Sequence, residues 1–233
     1  MIPANVAVVL AGGRGSRMGA DRNKVLLPLL DQPVITWSLR AFGAHPAIDR
    51  VLLVGSASDL FELAEIIETS QLGGIELIAG GKERADSERA ALDYLRNQID
   101  SETIELIAIH DGARPLVSAA LISRAFQALN DRTVVGVVPA LAAPALIAGR
   151  GHSFGPLPPG EVVRVQTPQV FRARPLLDAY DAAASTGFLG TDTSSYVERC
   201  GGSIKVVAGD QRNLKITFPA DLVEAQRLAI DQR

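Results

Sequence analysis

The chain has 233 residues, a length that suits one large α/β domain. Hydrophobic residues make up 47% of it, charged residues 21%, and the net charge is −3. This balance excludes a generally basic surface for nucleic acids, and no apolar run is long enough to span a membrane. The single cysteine, Cys200, excludes an intramolecular disulfide. We expect a buried thiol and a cytoplasmic protein.

The first predicted strand, Val6 to Leu10, leads into a glycine-rich basic loop. The loop reads A-G-G-R-G-S-R-M-G over residues 11–19, and Lys24 follows it. Glycine lets the main chain approach a ligand and turn its N–H groups toward an anion, while Arg17 and Lys24 add positive charge. A strand followed by such a loop predicts a phosphate site at the carboxyl edge of a sheet.

Several protein families use a glycine-rich loop of this kind. A Walker A loop is excluded, because no Gly-Lys-Ser/Thr follows the glycines. The spacing of Gly13, Gly15 and Gly19 imitates a dinucleotide fingerprint, so an NAD(P)-dependent oxidoreductase remains an alternative. Against it, the second predicted strand ends without the acidic residue that would hold a ribose. The loop and Lys24 resemble the signature loop of the sugar-nucleotide pyrophosphorylase superfamily.

Strand-like and helical patterns alternate after this loop. The next predicted strands are 50–54, 75–79, 104–110 and 133–138, and the predicted helices are 33–44, 59–68, 87–97 and 119–129. Later in the chain we predict strands at 165–171, 204–207 and 214–217, and helices at 174–184, 193–199 and from Pro219 onward. This alternation predicts an α/β fold with a doubly wound, mainly parallel sheet and a ligand crevice at the carboxyl ends of its strands.

The alternation breaks at residues 139–164, which are rich in proline and glycine. This stretch is too long for an ordinary connection. We therefore predict that residues 1–233 form a single domain from which residues 139–164, called the arm below, protrude as a β-arm.

Polar motifs follow two of the predicted strands. Residues 80–87 read G-G-K-E-R-A-D-S, in which the glycine pair can bring main chain against a flat base and Ser87 can cap the next helix. A plain strand-to-helix turn explains this segment equally well. Asp111 follows the fourth strand and is expected to face the crevice, with Arg114 placed to form a salt bridge with it.

More polar groups lie later in the chain. Residues 166–169 read Q-T-P-Q, residues 191–192 read T-D, and Lys215 stands beside the predicted strand at 214–217. A single lysine of this kind is most often a solvated surface charge.

Taken together, the motifs resemble the cytidylyltransferase family that contains 2-C-methyl-D-erythritol 4-phosphate cytidylyltransferase of the non-mevalonate isoprenoid pathway. Ribitol 5-phosphate cytidylyltransferase is in the same family. The resemblance covers Val6 to about Leu228. It implies a Rossmann-like nucleotidyltransferase that transfers CMP from CTP to a polyol phosphate and releases pyrophosphate, with Mg²⁺ bound mainly through the CTP phosphates. It also implies a homodimer that exchanges its arms.

The resemblance assigns a role to each motif. The nucleotide-binding residues would be Ala11, Gly12, Gly13, Gly15, Gly80, Gly81 and Ser87. The catalytic cations on the triphosphate would be Arg17, Lys24 and Lys215. The acceptor-binding residues would be Asp111, Arg114, Thr167 and Thr191. No side chain is expected to ligate a metal ion.

This chain departs from the family pattern mainly in the arm. The family usually carries Asp-Thr-x-Lys where this chain has Ala142, Ala143, Pro144 and Ala145, and an arginine where it has Pro159. These losses leave a non-catalytic nucleotide-binding paralogue as a further alternative. Arg164 is our preferred substitute for the lost arginine on the acceptor phosphate, and Arg150 is the alternative. Asn23 also replaces the proline that usually precedes the catalytic lysine.

Overall fold

The computed structural model describes residues 2–13, 22–142, 147–150, 153–156 and 163–231. The strands are β1 (Ala4–Ala11), β2 (Pro28–Leu29), β3 (Gln32–Pro33), β4 (Arg50–Gly55), β5 (Ile75–Ala79), β6 (Ile104–Asp111), β7 (Gly136–Ala142), β8 (Ile147–Arg150), β9 (Ser153–Pro156), β10 (Val163–Val165), β11 (Gln169–Arg172) and β12 (Ile204–Ala208). The helices are α1 (Val34–Gly43), α2 (Leu60–Thr69), α3 (Arg84–Asp100), α4 (Ala119–Gln127), α5 (Ala173–Thr186), α6 (Thr193–Arg199) and α7 (Pro219–Ile230). Short 3₁₀ turns lie at Lys24–Leu26 and Ala128–Asn130.

An eight-stranded sheet forms the centre of the molecule. Its order is β10-β7-β11-β6-β1-β4-β5, and β12 also pairs with β7. Strands β5, β4, β1 and β6 are mutually parallel, whereas β10 and β11 run antiparallel to their partners. The predicted α/β fold with a doubly wound, mainly parallel sheet is confirmed.

Helices cover both faces of the sheet, which explains why β1 is apolar from Val6 to Ala11. Ala7, Val9 and Ala11 belong to the core on one face, and Val6, Val8 and Leu10 belong to the core on the other. Successive strand residues point to opposite faces, so a central strand buried on both sides needs a continuous apolar run. Each of the larger buried aliphatic side chains contributes about 1.5–3 kcal/mol to folding.

The predictions for residues 214–217 and for Cys200 are wrong. Residues 214–217 do not form a strand: the Ile216 N–H donates to the carbonyl of Ala113, but the Thr217 N–H is taken by the Asp221 carboxylate at the start of α7. Ile216 is buried in a small core beside α7, so its apolar character reflects packing alone. Cys200 is exposed, because it follows the last residue of α6 instead of lying on a buried face.

The strand predicted at 165–171 is interrupted. Strand β10 pairs with residues 140–142 of β7, and β11 pairs with residues 136–137 of β7 and with β6. Residues 166–168 lie between them and belong to neither strand, although the Gln166 N–H still donates to the carbonyl of Pro139 in β7. The Thr167 side chain thereby lies at the end of β6, where its hydroxyl accepts from the Asp111 N–H.

In the arm, β8 and β9 pair with each other as an antiparallel hairpin and form a sheet of their own. The chain then returns to the central sheet through β10. No helix in the described parts of the chain is both long and apolar enough to cross a membrane.

Candidate active site

The carboxyl ends of four parallel strands, β1, β4, β5 and β6, border a crevice. It contains an outer cavity of about 610 Å³ and an inner cavity of about 630 Å³, which share Gly12 and Lys82. The outer cavity is lined by Gly12, Asn23, Ser56, Ala57, Ser58, Asp59, Gly80, Gly81 and Lys82. The inner cavity is lined by Leu10, Ala11, Gly12, Gly13, Lys24, Val25, Lys82, Glu83, Arg84, Ser87, Asp111, Ala113 and Lys215.

Three glycines converge on the Ser87 hydroxyl. This hydroxyl accepts from the N–H of Gly81 at 3.2 Å and donates to the carbonyl of Glu83 at 3.2 Å. A Cβ added to Gly80 would lie 2.5 Å from Ser87 Oγ, and one added to Gly12 would lie 3.3 Å from it. Glycine is therefore needed where the first loop and the β5–α3 loop meet this side chain.

The prediction that Ser87 caps a helix is wrong. Helix α3 begins three residues earlier, at Arg84, and its N-cap is Glu83. The Glu83 N–H donates to the Asp86 carboxylate at 3.0 Å. Ser87 therefore lies within the first turns of α3, where it is free to bridge the two loops.

Lys24 reaches the inner cavity from a segment that Asn23 fixes. The buried Asn23 amide donates to the carbonyl of Ala11 at 2.6 Å and to the Asp59 carboxylate at 2.8 Å, and its oxygen accepts from the Val25 N–H at 3.3 Å. Asn23 thus ties the segment of Lys24 to the end of β1 and to the loop before α2. The structure assigns a positioning role to the residue that replaces the usual proline.

Asp111 lies at the end of β6 among three cations. Its carboxylate is 2.9 Å from Lys215 Nζ, 3.2 Å from Arg84 Nε and 3.7 Å from Arg114 Nε. Burial alone would raise the pKa of Asp111, but the charges of Lys215, Arg84 and Arg114 outweigh it and hold the pKa well below its usual range. Asp111 is therefore ionised at neutral pH.

Behind Arg84 lies a buried cluster that the sequence did not predict. Arg84 Nη1 donates to Glu88 Oε1 at 2.7 Å, and the hydroxyls of Thr193 and Tyr180 each donate to the same carboxylate at 2.5 Å. Burial raises the pKa of Glu88, and these donors oppose the rise. Burial would lower the pKa of Arg84, but Glu88 and Asp111 outweigh it and the pKa is raised. Arg84 is therefore a permanent cation between two carboxylates.

Thr167 supports the main chain at Asp111. His110 Nε2 lies 3.2 Å from the carbonyl of Arg114, which can only accept, so this nitrogen carries the proton. His110 Nδ1 then accepts from the Thr167 hydroxyl at 3.1 Å, and that oxygen accepts from the Asp111 N–H at 3.0 Å. Burial lowers the pKa of His110 to about 3, so the ring stays neutral. Thr167 is 3% exposed, and its hydroxyl is engaged by both His110 and the Asp111 N–H, so it braces the end of β6.

The Q-T-P-Q segment also holds the loop that carries Lys215. The Gln166 amide donates to the carbonyl of Asp210 at 2.8 Å and accepts from its N–H at 2.9 Å. The Asn213 amide donates to the carbonyl of Thr167 at 2.8 Å, and Arg114 Nη1 donates to the carbonyl of Asn213 at 2.8 Å. Gln166 and Asn213 are therefore bracing residues behind the cavity.

The structure brings most of the predicted site residues together. Among them, the inner cavity is lined by Ala11, Gly12, Gly13, Lys24, Ser87, Asp111 and Lys215. Gly80 and Gly81 line the outer cavity. Arg114 contacts Asp111, and Thr167 contacts its main chain.

The other predicted positions are not brought to the crevice. Thr191 is exposed; Asp192 caps α6, and it is Thr193 that turns inward. Arg164 lies on the exposed strand β10, and among the described residues neither Thr191 nor Arg164 lines the two cavities. Ala142 is exposed at the end of β7. Six further positions named in the sequence analysis lie outside the described residues: Gly15, Arg17, Ala143, Pro144, Ala145 and Pro159.

The arrangement suits a polyanion. Lys24, Lys82, Arg84 and Lys215 line the inner cavity together with the ionised Asp111. His110 is unsuited to act as a base, because it is buried and both of its ring nitrogens are engaged. The site can therefore bind and orient phosphate groups and stabilise developing negative charge.

Comparisons with known proteins agree with this geometry. The model of the family described as "IspD: 2-C-methyl-D-erythritol 4-phosphate cytidylyltransferase" matches residues 5–230. The 2-C-methyl-D-erythritol 4-phosphate cytidylyltransferase of Syntrophus aciditrophicus (strain SB) is 36% identical over 229 residues, which cover 97% of this chain and 96% of that protein.

Solved structures give the same result. The 4-diphosphocytidyl-2C-methyl-D-erythritol synthase of Anaerococcus prevotii DSM 20548 matches with a TM-score of 0.82 and 26% identity, covering 99% of this chain and 97% of that one. The 2-C-methyl-D-erythritol 4-phosphate cytidylyltransferase of Thermus thermophilus matches with a TM-score of 0.73 and 26% identity, covering 96% and 98%. The chain belongs to the 2-C-methyl-D-erythritol 4-phosphate cytidylyltransferase (IspD) family.

Proposed function

We propose that this protein transfers CMP from CTP to 2-C-methyl-D-erythritol 4-phosphate, releases pyrophosphate and thereby serves isoprenoid biosynthesis. The observation that carries the proposal is the inner cavity itself. It combines a glycine-lined wall for a base with Lys24 and Lys215 for phosphates and with ionised Asp111 for a polyol. Family membership supports the same reaction.

In this reaction, an oxygen of the acceptor phosphate attacks the α-phosphorus of CTP. The new P–O bond forms as the bond to the β-phosphate breaks, and pyrophosphate leaves with the electron pair. The acceptor is a phosphate monoester with a second pKa of about 6, so it is already anionic near pH 7. No general base is needed, which fits a site rich in cations whose buried His110 is engaged.

The cations lower the barrier by electrostatics. Lys24 and Lys215, which line the inner cavity, would stabilise the charge that develops at the α-phosphorus and on pyrophosphate. Loss of one such preorganised group costs about 3 kcal/mol, or roughly a hundredfold in rate. Arg17 is assigned to the same task by the family resemblance.

Asp111 and Thr167 are assigned to the acceptor. The Asp111 carboxylate accepts hydrogen bonds only, so it suits the hydroxyls of the polyol. Thr167 is buried and accepts from the Asp111 N–H, so it would act on the acceptor through Asp111. Arg114 and Arg84 hold Asp111 in place by charge.

The Mg²⁺ ion is proposed to enter with CTP as its phosphate complex. Glu83 and Asp111 are the carboxylates on the inner cavity, and Asp111 already faces three cations. Among the described residues, no three His, Cys, Asp or Glu side chains are grouped so that they could hold a metal ion. This donor set fits an ion ligated mainly by phosphate oxygens, where it would neutralise triphosphate charge.

We further propose a cytoplasmic homodimer that exchanges its arms. Arg164 is exposed and, among the described residues, lines neither cavity of its own chain, so it would serve the acceptor site of the partner copy. This assignment accounts for an exposed cation on a strand that continues from the arm.

The test is pyrophosphate release with CTP, Mg²⁺ and a panel of polyol phosphates. The proposal predicts turnover that is highest with 2-C-methyl-D-erythritol 4-phosphate and at least tenfold lower with D-ribitol 5-phosphate. Faster turnover with D-ribitol 5-phosphate would make that compound the acceptor.

Calorimetry tests the nucleotide specificity, and CTP should bind more tightly than ATP or GTP. CTP binding without any turnover would identify a non-catalytic paralogue, and NAD(P) binding without CTP binding an oxidoreductase.

A further inference from the structure

We propose that Glu88 is a positioning residue, which holds the Arg84 guanidinium in the orientation that presents it to Asp111 and to the inner cavity. The proposal rests on the function given above only for its kinetic test. Glu88 is 1% exposed and lies outside both cavities among the described residues, so it acts on substrates through Arg84 alone.

The guanidinium of Arg84 is held at two positions by groups from different elements. Its Nε lies 3.2 Å from Asp111 Oδ1, at the end of β6. Its Nη1 lies 2.7 Å from Glu88 Oε1 and 3.2 Å from Thr193 Oγ1. Two contacts on different nitrogens fix both the direction and the plane of a guanidinium, which one ion pair does not.

Glu88 is itself fixed from the other side of the core. Thr193, the first residue of α6, donates to Oε1, and Tyr180 of α5 donates to Oε2. Tyr180 in turn stacks on Tyr196, with ring centroids 4.2 Å apart. Two helices therefore hold the Glu88 carboxylate in place independently of its contact with Arg84.

A packing role alone would not require a charge at this position. The buried stripe of α3 consists of Ser87, Glu88, Ala91, Leu92, Leu95 and Ile99, and Glu88 is its one acid. Burying a carboxylate is costly, and apolar residues often replace a buried ion pair without loss of stability. Orienting Arg84, which is partly exposed toward the cavity, explains why a charged residue occupies position 88.

The kinetic test compares Glu88→Gln with wild type in steady-state assays with each substrate varied in turn. Glu88→Gln keeps the shape of the side chain and removes its charge. We expect the acceptor KM to rise about tenfold, the size of one lost charge-assisted hydrogen bond, with kcat changed less. In an Arg84→Ala background the same substitution should change the acceptor KM less than twofold, because its target is gone.

A matched control lies on the same helix. Asp93 is exposed and forms ion pairs with Arg89 and Arg96, away from Arg84. Asp93→Asn should leave both KM values within twofold of wild type. Thr193→Val, which removes the hydroxyl between Glu88 and Arg84, should raise the acceptor KM about threefold and provides a second variant should Glu88→Gln not fold.

A spectroscopic test needs no substrate. The Nε–H signal of Arg84, assigned by its loss in Arg84→Lys, should exchange with solvent at least tenfold faster in Glu88→Gln and in Thr193→Val than in wild type. Unchanged exchange in a folded variant, or an equal KM effect with and without Arg84, would overturn the proposal. An inactive wild type would contradict the proposed function, and the exchange rates would still decide the role of Glu88.

Discussion

The ammonium group of Lys215 lies 2.9 Å from Oδ2 of Asp111, so a cation assigned to the triphosphate is paired with a carboxylate assigned to the acceptor. The two belong to segments more than 100 positions apart and meet in the inner cavity. A phosphate that binds Lys215 must share it with Asp111. The contact therefore lies where the two substrates would be joined.

This pairing gives a defined dependence of stability on pH. The pKa of Asp111 is lowered in the folded protein, so its stabilising charge is fully present above the ordinary carboxylate pKa of about 3.9 and is lost as the pH falls below it. We expect wild type to exceed Asp111→Asn in free energy of unfolding by about 1–3 kcal/mol, constant from pH 8 to 5. Denaturant titrations should show the difference narrowing below about pH 4. A difference that already shrinks between pH 8 and 6 would show that another group controls it.

Lys24 and Arg17 should act on the rate and not on the fold. Lys24→Ala and Arg17→Ala should each lower kcat about a hundredfold, because preorganised charge acts mainly on the transition state. Steady-state kinetics and thermal unfolding measure the two effects separately. Lys205→Ala, at an exposed position of β12, is the matched control and should retain activity. A lower melting temperature with unchanged specific activity would make Lys24 or Arg17 structural.

Asn23 should affect both the stability of the fold and the rate of the reaction. Asn23→Ala removes two hydrogen bonds and the cap of the turn that carries Lys24. We expect a loss of about 1–3 kcal/mol in free energy of unfolding and a fall in kcat of about tenfold. Asn97→Ala, at an exposed position late in α3, should change neither. A stability loss with normal kcat would mean that Lys24 is held without Asn23.

Arg164 tests the acceptor side. Arg164 is our preferred substitute for the arginine that the arm has lost, because neither alanine nor proline can make a charged contact with a phosphate. Arg164→Ala should raise the KM for 2-C-methyl-D-erythritol 4-phosphate at saturating CTP, with CTP affinity unchanged. An unaltered acceptor KM would remove Arg164 from the site and favour a different acceptor.

The parts of the fold predicted best are those with a strong local pattern. Strand β5 and helix α6 have the predicted bounds, Ile75–Ala79 and Thr193–Arg199. In contrast, residues 214–217 form no strand, because a short apolar run can also be an extended segment packed beside a helix.

In the site, residues that follow strands could be predicted from position, because parallel strands end at one edge of the sheet. The buried residues that hold these side chains in place could not be predicted from position. Glu88 meets Tyr180 and Thr193, which lie 92 and 105 positions away. The one available signal was an acid one turn after Arg84 within an apolar stripe of α3. The inward residue at the start of α6 is likewise Thr193 and not Thr191, because Asp192 takes the cap position.

The most direct test of the proposed reaction is to observe the bond that it forms. Phosphorus NMR of a mixture of the protein, CTP, Mg²⁺ and 2-C-methyl-D-erythritol 4-phosphate should show the monoester signal replaced by two coupled diphosphate signals, with an equal amount of free pyrophosphate. Lys24→Ala should slow this conversion about a hundredfold. A monoester signal that persists while CTP stays intact, under conditions where CTP binds, would contradict the assignment of this protein as a cytidylyltransferase for that acceptor.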